Sequence, residues 1–365
     1  MHYPSVNNKS LSKIKPASFP LTAIFSCLPV FFLAVSFFLR PANLQNSLSE
    51  ILSYLGSGLI PALFPFLLLG HLCVKEPIFL LLERLFSPLS LLLKQEKSVP
   101  VLLFLSLLGG YPIGALLLKK LVSDGKLSPK KAGVLLCVLS YPSPSFVILL
   151  AGEILLKSKK AGLLLFASLL LGALPLIFVA LFLCRTHQKT KICGPLPSFS
   201  LSLFLCSVKE AGESILSLSF SVLSAACLMP LLELLPLTKS QIAFFSALLE
   251  VSGGIGRLAN GQTVNLLLFS FLLAFGGLSV IGQNLILLQK SGIPTHFYLL
   301  SRPIYALFSL LSARLLLLLF PLSLPTGNTT LQPLSVPPTA TIALLSMIAM
   351  LLFLLQEKTM VKKRK

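Results

Sequence analysis

Apolar residues along this chain fall in long, nearly uninterrupted runs, and polar residues gather between the runs instead of alternating within them. Crossing a hydrocarbon core takes roughly 20 residues of apolar helix. Eight runs have spanning length: Phe19–Leu39, Ile51–Val74, Ala132–Ile154, Ala161–Cys184, Glu213–Leu235, Val264–Leu288, Tyr298–Phe320 and Thr339–Leu355. Two further segments, Pro100–Leu118 and Ile242–Gly261, are apolar but broken at their centres by glycines. Pro77–Leu93 carries Glu83-Arg84 within an apolar stretch, which suits a helix lying in the membrane interface. The pattern predicts an all-α polytopic membrane protein: about eight transmembrane helices plus two re-entrant helical hairpins in an inverted repeat.

The first break is Leu107-Leu-Gly-Gly-Tyr-Pro-Ile-Gly-Ala115. Gly109, Gly110 and Gly114 permit backbone conformations closed to other residues, Pro112 cannot donate to a helix, and Tyr111 before it is pushed out of the α region. Two half-helices of about nine residues, each roughly 14 Å long, are expected, which is half a hydrocarbon core. Irregular backbone at that depth persists only where protein or a water-filled cavity satisfies it, and carriers use such breaks to build midplane sites. The second break is Val251-Ser-Gly-Gly-Ile-Gly256.

The breaks belong to a repeat. Ser47-Leu-Ser-Glu50 and Ser207-Val-Lys-Glu210 both read as S-x-x-E capping boxes opening a helix. Each is followed by a proline-containing span, a glycine-broken segment and a long run with its own interruption, Ser140-Tyr-Pro-Ser-Pro-Ser145 or Phe275-Gly-Gly-Leu-Ser-Val-Ile-Gly-Gln283. An odd number of crossings separates corresponding elements, so the halves are expected to be inverted. The chain then divides into 1–46 (N-terminal segment and first span), 47–192 and 193–320 (the two repeats), and 321–365 (a loop, the last span and a basic tail).

Composition sharpens this reading. Of 365 residues, 55% are hydrophobic and only 11% charged, against about a quarter charged in a soluble domain. The net charge of +19 would suggest nucleic acid in a soluble protein. Here the cations sit beside apolar runs, without interleaved aromatics, which points to topology and anionic lipid instead. If the broken segments re-enter and the other eight cross, one side receives Lys9–Lys15, residues 75–131, Arg185–Lys191, Lys290 with Arg302, and Lys362–Lys365. The positive-inside rule makes that side, with both termini, cytoplasmic in a multi-pass cell-membrane protein. Lys157–Lys160 dissents by falling outside. The seven cysteines show no CxxC spacing and read as small buried hydrophobes, the histidines have no ligand-like partner nearby, and no catalytic set stands out. No metal, cofactor or enzymatic activity is expected.

The two tips and the two interrupted spans are expected to converge near the midplane. Gly109, Gly110, Tyr111, Pro112 and Gly114 form the first tip, and Glu250, Ser252, Gly253, Gly254 and Arg257 the second. Half-helices starting after Gly110 and Gly254 would aim free N–H groups and positive dipole ends inward, favouring a small organic anion, with Arg257 as a bidentate carboxylate clamp. The alternative for Arg257 is pairing with Glu250. Ser140, Ser143, Ser145, Gly276, Gly277, Ser279 and Gln283 line the interruptions, where they could bind ligand or a coupling ion. The plainer alternative is that their polar groups satisfy carbonyls freed by neighbouring prolines and glycines. The glycines could also serve close helix packing. A homo-oligomer stays open.

At Gly110-Tyr-Pro-Ile-Gly-Ala115, Lys126-Leu-Ser-Pro-Lys-Lys-Ala132, Leu248-Leu-Glu-Val-Ser-Gly253 and Phe275-Gly-Gly-Leu-Ser-Val280 with Gln283, the sequence resembles the YlbJ-type sporulation integral membrane proteins of the gate, or nucleoside-recognition, domain family. The resemblance runs from about Ser47 to Phe320. It departs where the family tends to place Asn-Asn before the Ser-Pro of the first interrupted span, since Ser140-Tyr141 stand there. It implies a hairpin carrier akin to concentrative nucleoside transporters, acting in spore formation at the forespore inner membrane, with dipicolinic acid as cargo. A nucleoside carrier of the same fold and a non-transporting membrane scaffold are the rival readings.

Overall fold

The computed structural model describes residues 31, 34, 35, 37–39, 41–185, 200–233, 235–259 and 265–322. Among them there is no strand. The first half comprises α1 (Pro41–Tyr54), a π-helical stretch Leu55–Leu59, α2 (Ile60–Val74), α3 (Glu76–Leu85), α4 (Ser87–Leu93), α5 (Ser98–Gly109), α6 (Tyr111–Ser123), α7 (Pro129–Leu136), a second π-helical stretch Ser145–Leu155, and α8 (Lys159–Leu183). The second half comprises α9 (Leu201–Leu232), α10 (Lys239–Leu249), α11 (Val251–Ala259), α12 (Leu266–Phe275), α13 (Gly277–Leu287) and α14 (His296–Leu319).

Among the described residues, four helices are long and apolar enough to cross a membrane: Lys159–Leu183, Leu201–Leu228, Leu266–Leu287 and His296–Leu319. Ile51–Val74 is helical over its length, and its Leu63–Cys73 part meets Pro77–Leu85 at 83°. That sharp turn leaves α3 and α4 as short helices with Leu81, Leu85, Leu91 and Leu92 exposed, as an interfacial element requires. Ala132–Ile154 is not one rod, because non-helical backbone at Ser140–Ser143 separates α7 from the π-helical stretch. The expected span Thr339–Leu355 and both charged termini lie outside the described residues, as does most of Phe19–Leu39.

Neither S-x-x-E motif opens a helix. Ser47 and Glu50 lie within α1, and Ser207 lies inside α9, where its hydroxyl donates to the Leu203 carbonyl at 2.9 Å. A mid-helix serine can satisfy itself on the preceding turn, so the motif alone does not mark a helix start. Glu210 instead leaves α9 for α2: its carboxylate accepts from Lys75 Nζ at 2.6 Å and lies 3.3 Å from His71 Nδ1, while His71 Nε2 is 2.9 Å from Ser214 Oγ. His71 is therefore held between α2 and α9.

The frame behind the site is α8, α12 and α14. A Cβ added at Gly172 of α8 would stand 2.6 Å from Ser309 N and Cα of α14, so the two backbones touch there. Ser168 Oγ is 2.9 Å from Ser270 Oγ, Ser270 donates to the Ser309 carbonyl at 3.0 Å, and Tyr305 donates to the Leu169 carbonyl at 3.2 Å. These close, polar contacts between apolar helices suit a bilayer, where small residues and cross-helix hydroxyls hold helices together. The outer faces are apolar, with Phe178 70% and Leu318 59% exposed.

Candidate functional site

The first break forms where expected. Gly110 takes φ 78° and ψ −165°, which only glycine adopts without strain, and α6 restarts at Tyr111 with Pro112 in its first turn, where a missing N–H is harmless. A Cβ at Gly110 would lie 3.1 Å from Ser143 Cβ, so this tip rests on the first interrupted span. The Tyr111 hydroxyl donates to the Leu273 carbonyl in the last turn of α12. Gly276, in the left-handed region at φ 85°, ends that helix, and a Cβ there would meet the Tyr111 ring at 3.2 Å. The first tip thus fills the second interruption.

The second break forms three residues earlier than its glycines suggest. α10 stops at Glu250, whose backbone is extended at φ −143° and ψ 116°. The Glu250 carboxylate turns back and accepts from Ser252 N–H at 2.8 Å and Gly253 N–H at 2.6 Å, capping α11. Gly253 and Gly254 sit in the first turn of α11, and their role is close approach. A Cβ at Gly254 would lie 2.1 Å from Ala247 Cα, so α10 and α11 fold back on each other there. Gly277 brings the start of α13 against this tip, with a Cβ placed there 3.1 Å from Val251 N.

Between these elements lies a narrow cavity. Nine of the predicted site residues line it: Gly109, Gly110, Tyr111 and Pro112 from the first tip, Ser143 from the first interruption, Glu250 and Ser252 from the second tip, and Ser279 and Gln283, one turn apart on α13. The sequence reading missed the apolar wall. Leu63, Phe66 and Leu67 of α2 and Leu218 and Val222 of α9 supply most of it, at i, i+3 and i+4 spacings that were visible but shared with every other face of these helices.

The remaining predicted residues stand apart from the cavity lining. Arg257 is turned away, its Nη2 3.7 Å from the Glu50 carboxylate, so it neither clamps a ligand nor pairs with Glu250. Gly114 packs on Leu139, where a Cβ would fall 2.1 Å from the carbonyl oxygen. Ser145 Oγ is 3.0 Å from Ser143 Oγ. Ser140 belongs to a buried polar cluster behind the cavity, where Asn284 Nδ2 donates to Ser140 Oγ and to Tyr298 OH, both at 2.9 Å. Arg302, read in the sequence as a cytoplasmic-side charge, is 1% exposed and joins that cluster. With Arg257 and Arg302 both directed elsewhere, no basic side chain among the described residues lines the cavity, and Glu250 is the one carboxylate among them that does.

Comparison with known proteins gives no match: no protein-family model, curated protein or solved structure is similar to this chain. The resemblance to the YlbJ-type proteins therefore stands on the quoted motifs alone.

Proposed function

We propose that the chain is a multi-pass membrane carrier for a small solute bound in the cavity between its two helical breaks. One observation carries this reading: two tips about 140 residues apart in sequence, near Tyr111 and Val251, meet the same interrupted helix at Gly276 and Gly277 and enclose one cavity. In this reading the broken segments are re-entrant, the halves are inverted repeats, and eight helices cross the bilayer. Ion pairs flank the cavity along the chain. Glu50–Arg257 lies on the α1 side of the Leu63–Leu67 wall, and Lys75–Glu210 lies beyond it at the end of α2.

The cargo follows from the lining. The cavity is narrow in this structure, so the chemistry of its walls, not its volume, indicates the cargo. Glu250 already occupies the N–H groups of the second tip that an anion would need, and the Arg257 clamp is absent. An uncharged or cationic solute that donates hydrogen bonds, such as a nucleoside, suits this lining best. One feature favours the second reading, an anion such as dipicolinate: the start of α6 faces the cavity with no side-chain cap. The place in spore formation follows from the resemblance. Uptake by the purified chain in liposomes, assayed with nucleosides, dipicolinate and related carboxylates, is the test. Saturable nucleoside uptake lost in Glu250→Ala is the expected result. Uptake of dipicolinate alone would reverse the cargo assignment, and uptake of neither would turn the reading toward a scaffold.

A further inference from the structure

Arg302 lies in α14, inside the bundle, 1% exposed, and among the described residues no carboxylate pairs with it. An ionisable side chain at such a place is costly in a membrane protein and marks function by default. Its partners are specific. Nη1 donates to the Ser140 carbonyl and Nη2 to the Cys137 carbonyl, each at 2.6 Å. The guanidinium carbon stands 4.9 Å from the centroid of the Tyr298 ring and 5.3 Å from that of Tyr305. Both carbonyls belong to the interruption between α7 and the Ser145–Leu155 stretch: Pro144 denies the Ser140 carbonyl its helical donor, and Cys137 stands where α7 ends.

Carriers built on discontinuous helices use such unwound carbonyls to coordinate a coupling cation. Here the cage already holds a cation, and it is covalently attached. Charge-assisted hydrogen bonds and two aromatic faces replace the carboxylate that a buried arginine would ordinarily need. The same Ser140 takes an Asn284 hydrogen bond on its hydroxyl, and Asn284 lies on α13 with Ser279 and Gln283. Three residues on from Ser140, Ser143 lines the cavity.

We propose that Arg302 is the resident cation of the first interrupted span: its guanidinium fills the carbonyl cage that a diffusible metal cation would otherwise occupy, and so positions Ser143 and α13 at the cavity. This rests on the carrier reading, with Arg302 a positioning residue. The test uses the full chain, as Arg302→Ala, Arg302→Gln and Arg302→Lys, with two readouts: thermal unfolding in detergent and solute uptake in liposomes.

Thermal unfolding of the Arg302→Ala chain is expected at a lower temperature, restored toward wild type by millimolar methylguanidinium and not by equal tetramethylammonium, while the wild-type chain responds to neither. Arg302→Lys, which keeps a point charge, should unfold above Arg302→Gln, which keeps only neutral donors. Uptake by Arg302→Ala should fall roughly tenfold or more. Equal unfolding of the lysine and glutamine chains, or an alanine chain indifferent to methylguanidinium, overturns the proposal. If the alanine chain does not fold, the lysine–glutamine comparison still decides. The unfolding readout needs no transport, so wild-type protein that moves no solute while its variants show the cation pattern would sink the carrier reading and leave the resident cation standing.

Discussion

Removing the Glu250 side chain strands the Ser252 and Gly253 N–H groups in a place where Glu250 itself is only 3% exposed. Each buried donor left without a partner costs about 1–3 kcal/mol, so Glu250→Ala should unfold well below wild type in a thermal melt, while Glu250→Gln, which keeps one acceptor oxygen, falls between. Glycines give a sharper contrast. Gly254→Ala forces a Cβ into the Ala247 backbone and should destabilise by roughly 1–3 kcal/mol, whereas Gly212→Ala, with open space around it in α9, should gain about 0.5–1 kcal/mol. Equal melting temperatures for the two would refute the fold-back of α10 on α11. At this scale the sequence was legible where backbone chemistry decides. Gly110 and Pro112 exclude a continuous helix whatever surrounds them. It was misleading at the second tip, because an acidic side chain able to cap the next helix outcompeted the glycines for the position of the break. Arg302 was illegible, since nothing in a lone arginine near the start of an apolar run tells whether it faces water or its neighbours.

Between elements, the junction of α2 and α9 rests on Lys75 and Glu210. The Glu210 side chain is 35% exposed, so solvent screens the pair, and a double-mutant cycle with Lys75→Ala and Glu210→Ala should give a coupling of about 1 kcal/mol or less that shrinks in high salt. Two cysteines separate by environment. Cys184 is buried where α8 ends. Cys206 is exposed. Maleimide at pH 7.5 should modify Cys206 faster than Cys184, because a buried thiol is out of the reagent's reach. Mass spectrometry of the digested protein reads both, and equal rates at pH 7.5 would contradict the packing of Cys184. Helices and interruptions at this scale were readable from hydropathy and from proline and glycine. Pairings across helices were not, since spacing along the chain does not say which faces meet, and Glu210 found His71 and Lys75 through packing alone.

For the molecule as a whole, charge distribution and apolar length set the orientation. Single cysteines at Ser5 and Thr359 should react with a membrane-impermeant maleimide from the cytoplasmic side only, and one at Lys239 from the opposite side only; any other pattern changes the number of crossings. Membrane character was plain in the sequence, because no soluble core needs runs this long. The cavity's outline was half plain: its polar tips announced themselves, while its leucine and phenylalanine walls resembled lipid-facing surface. The bonds among α8, α12 and α14 also limit how a carrier of this build can work. Gly172 is backed onto Ser309 and serine hydroxyls are chained across the trio, so in the carrier reading these helices are expected to move together as a keel. In that reading, a stroke that exposes the cavity to one side and then the other must break the contacts of α5–α6 and α10–α11 with Gly276 and Gly277, so spin labels within the trio should keep their spacing while labels on those arms change theirs.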